Sequence, residues 1–387
     1  TADGNNAFGD DALSLNVTGT GLSAFGHRAL QYSTGIQNTA MGALALDANT
    51  SGASNTAVGE GALSANTTAD NNVAIGQDAI KSNTTGANNT ATGVNSLGSN
   101  TTGASNVAVG FLTLDANTTG EFNTAIGQEA MTTNTTGDRN VAVGFKALMD
   151  MNVTDGSHTF NTAVGFAAGE NTSTGTVNTF VGGNAGNAHT TGSNNTFLGK
   201  DAASTSTTGS ENVIVGSSSS TASAGSSNAQ GFGYNLTCAD NYTTIGQGSA
   251  DIRAEHGVAT WATVSDERYK KDIVDSTAGL SFINALQPRT FKYKNLGELP
   301  ETFRAYEEGS TKVFKNSNTN HGFIAQEIKV AIDADDSIKD GFRLWDDRDD
   351  GSQEVAEAAL IPMLVKAIQE LSAQNAALTT RITTLEG

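Results

Sequence analysis

The sequence predicts a mostly β protein in three parts: an elongated β-solenoid-like shaft, a small α+β domain and a C-terminal coiled coil. Three observations predict it. The N-terminal half repeats with a period of 17 residues, charged residues become frequent after Asp251, and the chain ends in heptads. We place the boundaries at 1–216 for the shaft, 217–257 for a degenerate transition, 258–350 for the α+β domain and 351–387 for the coiled-coil helix.

The repeat can be written N-[TV]-A-[VI]-G-x-x-A-L-x-x-N-T-T-G-x-x. Nearly every step between its first glycines is 17 residues, except for a step of 16 from Gly26 to Gly42 and one of 21 from Gly144 to Gly165. A fixed short period of this kind predicts stacked units that contact only their neighbours. The first glycines are Gly9, Gly26, Gly42, Gly59, Gly76, Gly93, Gly110, Gly127, Gly144, Gly165, Gly182, Gly199, Gly216 and Gly233.

Each unit contains one strand candidate, such as NVAVG at Asn106–Gly110, where alternation places Ala on one face and Val107 and Val109 on the other. The glycine that follows turns the chain, and A-L-x-x-N-T-T-G supplies a second short strand or a turn. Helix is disfavoured because every unit contains two Gly and several Thr and Asn. One unit buries too little to fold alone, so we expect stacking, with equivalent Asn residues forming hydrogen-bonded ladders.

The NTT strings of the repeat match the glycosylation pattern N-x-[ST]. The repeat itself generates these strings, and a ladder requires Asn at this position, so we interpret them as structural. The Asn residues concerned are Asn66, Asn83, Asn100, Asn117 and Asn134.

The regular repeat fades after Gly216. SSSSTASAGSSNAQ predicts a loop or a change of cross-section, and NYTTIG at Asn241–Gly246 predicts a last, displaced rung. Further on, the apolar spacing predicts a helix from Asp272 that ends before Pro288, with Ile273, Leu280, Ile283 and Leu286 on its apolar face. RTFKYK alternates like a strand, and GFIAQEIKVAI reads as a strand or turn that enters a helix.

Charge and composition exclude several classes of protein. The formal net charge is −19 and both halves are acidic, so a nucleic-acid phosphate backbone is repelled. Cys238 is the only cysteine, which excludes an intrachain disulfide, and we expect it to be a small buried residue. The histidines are dispersed, so we expect no metal site and no cofactor, and no apolar run approaches the ~20 residues of a membrane span.

The C-terminal heptads predict a coiled coil, because the apolar steps alternate between 3 and 4 residues. Ile and Leu with a buried Asn375 favour two strands by themselves. A thin β-rod, which is usually made by several chains together, favours three, and we expect three. The seam residues are Ile361, Leu364, Ile368, Leu371, Asn375, Leu378, Ile382 and Leu385.

The stretch TVSDERYKKDI at 263–273 has two interpretations. By residue type, Ser265 or Asp266 is a good helix N-cap, with acids in the first turn and lysines after them. The other interpretation is a reaction between Ser265 and Lys270. A spacing of five places these residues on different faces of a helix or strand, so they meet only if the chain bends or if Lys270 comes from a neighbouring subunit.

Four pieces of the C-terminal part, in order, resemble the intramolecular chaperone domain of phage tailspikes and tail fibres, peptidase family S74. They are TWATVSDERYKKDI, INALQPRTFKYK, HGFIAQEI and LIPMLVKAIQEL. The resemblance implies that Ser265 is a nucleophile, that Lys270 is its general base, and that Asp266 and Arg268 orient the loop. It further implies that the chain cuts itself between Val264 and Ser265 and that the domain assembles a homotrimer.

The repeats in turn resemble the heads of trimeric adhesins and the shafts of phage tail fibres. We therefore expect a fibre of the virion tail, assembled in the host cytoplasm, that contacts a host cell-surface glycan or protein. Since the chain starts TADGNN without Met, we expect a further N-terminal part that joins other tail proteins. The alternatives are a glycan-degrading tailspike, which requires paired carboxylates in a groove, and a bacterial adhesin that retains its C-terminal domain.

Overall fold

The computed structural model describes residues 3–258, 262–263, 265–339, 344–347 and 351–386. The chain forms two compact units, Thr1–Ser265 and Asp266–Gly387. The first unit is a β-solenoid of about 14 turns with a period of about 17 residues, as the repeat predicts.

Each regular turn of the solenoid contributes one three-residue strand, and each strand pairs in parallel with the equivalent strand of the next turn. Thus Val107 pairs with Thr124 and Ala108 with Ala125, one period apart. The strands are β1 (Asn6–Phe8), β2 (Ser23–Phe25), β3 (Thr39–Met41), β4 (Thr56–Val58), β5 (Val73–Ile75), β6 (Thr90–Thr92), β7 (Val107–Val109), β8 (Thr124–Ile126), β9 (Val141–Val143), β10 (Thr162–Val164), β11 (Thr179–Val181), β12 (Thr196–Leu198) and β13 (Val213–Val215).

The core of the solenoid is closed by a single chain. In β7 the middle residue Ala108 is fully buried and its neighbours Val107 and Val109 face outward, as alternation predicts. The second apolar position of the repeat, Leu114 in this coil, is also fully buried. The A-L-x-x-N-T-T-G segment forms turns, in which Leu114 has a φ of 55°. This left-handed backbone conformation is unfavourable for a bulky residue. A single coil therefore needs packing against the neighbouring coils to stabilise it.

The repeat glycines are required by close contact between coils. At Gly59 φ is 136°, and a Cβ there would lie 2.4 Å from the carbonyl oxygen of Gly76 in the next coil. No other residue accommodates both this backbone conformation and this distance.

Two interior ladders of Asn side chains follow the axis, as the sequence predicts. In one ladder Asn55 N–H donates to Asn38 Oδ1 at 2.8 Å, and Asn72 N–H donates to Asn55 Oδ1 at 2.9 Å. In the other, the NTT residues are joined by side-chain bonds of 2.8 to 3.1 Å. All the NTT residues named above are fully buried, which confirms that they are structural.

The core is rebuilt in the later coils. Ala of the strand is replaced by Phe180 in β11 and Phe197 in β12, while Leu of the turn is replaced by Gly169 and Gly186. A Cβ on Gly169 would lie 2.5 Å from the ring of Phe180, so the Phe ring fills the space that the Leu side chain of the turn occupies in earlier coils. The large side chain has moved from the turn to the strand, and the small one from the strand to the turn.

Stacking continues beyond Gly216 through β14 (Ser220–Thr221), β15 (Gln230–Tyr234), β16 (Thr237–Cys238) and β17 (Tyr242–Gln247). β15 pairs with β13 and β17 pairs with β15, both in parallel, so the displaced last rung is confirmed. The serine-rich segment is only partly a loop, because β14 pairs with β16. Two antiparallel strands, β18 (Ala250–Glu255) and β19 (Ala262–Thr263), follow. Cys238 is buried, which raises the pKa of its thiol to about 11.

The second unit is small and mixed. It contains a 3-10 turn (Glu267–Tyr269), α1 (Leu280–Ala285), β20 (Arg289–Phe291), a 3-10 turn (Leu296–Glu298), β21 (Asn320–Gly322), α2 (Ala325–Asp333), β22 (Trp345–Asp347), β23 (Gln353–Val355), a 3-10 turn (Glu357–Leu360) and α3 (Ile361–Glu386). β20 pairs with β21 and β22 with β23, both antiparallel. The predicted strand in RTFKYK and the predicted strand entering a helix at Gly322 are confirmed.

The predicted helix from Asp272 is wrong over its first half, since α1 begins only at Leu280. Asp272 has a φ of 56°, and the apolar residues Ile273 and Val274 are exposed rather than packed. The apolar face of a helix at these residues would therefore lie in solvent and would not be stabilised by packing. α1 instead begins where the N–H of Leu280 donates to the Glu370 carboxylate of α3 at 2.8 Å.

Candidate functional site

Ser265 is the last residue of the first unit and follows β19 closely. Its side chain is exposed. Val264, the other side of the predicted cleavage site, lies outside the described residues, as do Thr260 and Trp261 of the same motif. The structure therefore presents the serine near the surface at the end of a strand.

Asp266 and Arg268 are brought together at the start of the second unit. Asp266 Oδ1 accepts from the Arg268 N–H at 2.9 Å, so Asp266 caps the 3-10 turn. The same carboxylate accepts from Arg268 Nε at 2.9 Å and Nη2 at 2.7 Å. These bonds hold the pKa of the Asp266 carboxyl below its usual value, with a smaller contribution from the charge of Lys270. Of the two predicted caps, the structure selects Asp266.

Lys270 closes the 3-10 turn, and its backbone N–H donates to the Glu267 carbonyl at 2.9 Å. Beyond this bond the backbone is extended, and the side chains of Lys270 and Lys271 are both exposed. The pairing of Ser265 with Lys270 stays a prediction, because the two residues belong to different units.

Aromatic residues that the sequence did not single out line a cleft of about 1430 Å³ in the second unit. Phe291 and Tyr293 come from the β20 region and Trp345 from β22, and the exposed His321 of β21 lies among them. The alternation in RTFKYK could have indicated this aromatic cleft, since it places the Phe291 and Tyr293 rings on one face of the strand.

The seam of α3 faces away from the core of its own unit. Met363 packs into that core and Ala367 is buried, whereas Ile361, Ile368 and Leu385 are between 60% and 85% exposed. From Leu371 onward every described residue of the helix is exposed, Asn375 included. An apolar heptad seam without a cover is typical of a helix that associates with other helices.

The solenoid has a comparable feature, which we call the outer stripe: the outward third residue of each three-residue strand, with Phe232 and Ile245 at the equivalent register of β15 and β17. Its residues are apolar in nearly every coil, although they are partly exposed. The exposed members are Phe8, Phe25, Met41, Ile75, Val109, Ile126, Val164, Leu198, Phe232 and Ile245. A continuous apolar surface of this length is typical of an interaction surface.

Within the described ranges, no three His, Cys, Asp or Glu side chains are grouped so that they could hold a metal ion. No helix in the described part of the chain is long and apolar enough to span a membrane.

Residues 265–336 match the model of the peptidase S74 family, the chaperone of endosialidase. The match starts at Ser265, the last residue of the first unit. Comparison with curated proteins and with solved structures gave no match. The β-solenoid and the S74 match together support a similarity to tail-fibre and endosialidase-like proteins.

Proposed function

We propose that this chain is the shaft of a viral tail fibre and that its C-terminal domain is an intramolecular chaperone that assembles three chains and then cuts itself off. The observation that carries the proposal is the S74 match, which starts at Ser265, the last residue of the solenoid unit. The fibre would contact a host cell-surface molecule, join other tail proteins through a further N-terminal part, and assemble in the host cytoplasm before it enters the virion tail.

The repetitive shaft explains why three chains need a domain that aligns them in register. Neighbouring coils are nearly identical, so three chains could associate one or more coils out of register at little cost. The exposed α3 seam offers a unique point of alignment at the C-terminus, and the outer stripe offers a surface that can associate from there. Both apolar surfaces support a homotrimer. Removal of the chaperone afterwards makes unfolding kinetically difficult, because the starting point of assembly is gone.

The proposed cleavage needs only groups of this chain and water. Ser265 Oγ attacks the carbonyl carbon of Val264 while the Lys270 amine takes the hydroxyl proton. The Val264–Ser265 C–N bond then breaks, the Ser265 nitrogen receives a proton, and an ester joins the Val264 acyl group to Oγ. Water hydrolyses this ester and leaves a carboxylate on Val264 and a free amine on Ser265. The tethered substrate raises the effective concentration of the nucleophile.

Coupling of the reaction to assembly follows from the exposure of Lys270. A lysine acts as a base only in its neutral form, and burial is what favours that form. In the single chain the Lys270 side chain is exposed. The proposal therefore places the burial of Lys270 in the assembled trimer, so that cutting reports correct assembly.

The test is the intact mass of freshly expressed protein under denaturing conditions, with the oligomeric state of the same samples measured by sedimentation. The wild type is expected to split before Ser265 and to form trimers, while Ser265→Ala and Lys270→Ala stay whole. Lys271→Ala is the matched control, because it removes the neighbouring exposed amine and should leave cutting intact. A trimeric wild type that remains whole would contradict self-cleavage, and a monomeric wild type would contradict the chaperone role.

A further inference from the structure

One edge of the solenoid departs from the repeat over four consecutive coils. The residue before the ladder Asn is an uncharged polar residue in most coils, as at Ser105 and Asn194. Before β8 to β11 it is instead Phe122, Arg139, Phe160 and Val177, the first two at a spacing of 17 residues. We call these four residues the platform. Both phenylalanines are 51% exposed, so they contribute little to the core.

The platform is held together by stacking between coils. The Arg139 guanidinium lies over the Phe122 ring at 5.3 Å from its centroid and over the Phe160 ring at 5.8 Å. Cation–π contacts on both faces fix the arginine between two aromatic rings. The result is a row of two half-exposed aromatic rings in alternate coils, with the arginine of the intervening coil between them.

The single longest step of the repeat lies beside the platform. Its extra residues form an exposed loop at 154–158, which ends at His158. His158 Nδ1 lies 3.1 Å from Asp138 Oδ2 and also contacts Arg139 Nη1, and its ring packs edge-on against Phe160. In solenoids, insertions into single repeats are typical of the binding face. The loop thus adds polar groups to the edge of an aromatic surface.

We infer that the platform is a binding site for a neutral glycan, with pyranose rings stacked on Phe122 and Phe160 and hydroxyl groups bonded to Asp138, Arg139 and His158. A pyranose combines an apolar face with a polar edge, which is the combination that the platform presents. The inference deepens the proposed fibre function, on which it rests, by locating contact with the host.

Charge favours a neutral ligand over an acidic one. Arg139 Nη1 lies 3.6 Å from Asp138 Oδ2, so the positive charge of the platform is already paired. Residues 1–250 contain 17 acidic and 5 basic residues, so an anionic polysaccharide is repelled by the shaft as a whole. Binding should therefore depend little on salt concentration.

The experiment is calorimetric titration of the full-length protein with neutral gluco-, manno- and galacto-oligosaccharides and with an oligogalacturonate as the anionic probe. At least one neutral probe is expected to bind, with an affinity that is unchanged between low and high salt. Phe122→Ala with Phe160→Ala should weaken binding by about tenfold or more, because both stacking surfaces are lost. Phe111→Ala, which removes a 46% exposed ring that belongs to neither the platform nor the outer stripe, is the matched control and should bind like the wild type.

Preference for the anionic probe, or binding of no probe at all, would overturn the inference, as would equal binding by the double variant. The mass and sedimentation of the same samples separate this failure from failure of the fibre proposal. A chain that cuts itself and trimerises without binding glycan refutes the platform alone, whereas one that binds glycan and stays monomeric refutes the chaperone role alone.

Discussion

Two regions of the shaft build the same coil from different interiors. In the coils from β4 to β8 the interior consists mainly of Ala, one larger apolar residue and two unbroken Asn ladders. In the coils from β10 to β12 phenylalanine fills the core, and the NTT ladder position holds Thr172, His189 and Ser206. All three side chains are fully buried. The outer shape is maintained by strand pairing in both regions.

The regions differ in how well their polar groups are paired. Asn100 donates to Asn83 Oδ1 and to the Gly103 carbonyl, each at 2.9 Å, and accepts from Asn117 Nδ2 at 2.8 Å. Thr172 Oγ1 and Ser206 Oγ have no hydrogen-bond partner in the part of the chain that the structure describes. His189 Nε2 bonds to the Gly192 carbonyl, but the buried Nδ1 has no hydrogen-bond partner among the described residues. The ladder coils are thus the better satisfied part of the shaft.

The largest effect is expected where the two regions are alike, at the repeat glycine. Gly59→Ala places a Cβ against the Gly76 carbonyl and forces alanine to a φ of 136°. A cost on the order of 4 kcal/mol follows from strain and overlap together. Gly183→Ala is the control, since a Cβ there has no atom within 4 Å. Thermal unfolding measured by circular dichroism should show a marked loss for the first variant and almost none for the second; equal losses would refute the contact argument.

A smaller effect distinguishes the two regions directly. Asn100→Ala removes three hydrogen bonds inside a continuous ladder and should cost about 2–4 kcal/mol. Thr172→Val replaces a hydroxyl that has no partner among the described residues by a methyl group of similar size, so its effect should lie within about 0.5 kcal/mol or be stabilising. Hydrogen exchange measured coil by coil reports both changes locally. If Thr172→Val were as damaging as Asn100→Ala, the two regions would not differ in polar satisfaction.

Much of the shaft could be predicted from the sequence because its information is local and periodic. The period, the inward Ala, the turns and the buried Asn ladders all follow from one repeat unit. The exchange of size between Phe180 and Gly186 could not be predicted, because it depends on which positions of neighbouring coils meet in the core. The left-handed backbone at Leu114 contradicts local preference, and only the stacked neighbours impose it.

The candidate site was less predictable. The resemblance located the S74 segment, and the cap at Asp266 followed from residue type. The spacing of apolar residues could not show that the chain is not helical at Ile273. A helix forms there only if other residues of the unit pack against its apolar face, and Ile273 is exposed instead. Whether Ser265 and Lys270 react depends on desolvation by neighbouring surfaces, which the spacing of five residues does not encode.

The smallest expected effect is the pH dependence of stability that His189 gives to the Phe-filled coils, which the ladder coils do not share. Burial between Phe180 and Phe197 lowers the pKa of His189 below its ordinary value of 6.5, with a partly opposing contribution from the bond to Gly192. The neutral form is therefore the one that the fold accepts. The contribution of neutral His189 to the free energy of unfolding is fully present above pH 6.5. It is lost as the pH falls below that value, because the unfolded chain then binds the proton more readily than the folded chain does.

The loss should approach about 1.4 kcal/mol per pH unit for this one group. His189→Asn removes the titrating ring and is expected to flatten the pH dependence between 6.5 and 5 relative to the wild type, even though the smaller side chain lowers stability at every pH. His27→Asn is the matched control, because it makes the same replacement at a half-exposed histidine outside the Phe-filled coils and shows whether flattening of the slope is specific to position 189. Thermal unfolding across this range measures the slope, and hydrogen exchange should place the acid-labile coils between β10 and β13. An unchanged slope in His189→Asn would mean that other groups make the shaft sensitive to acid and that the Phe-filled coils are no weaker than the ladder coils in this respect.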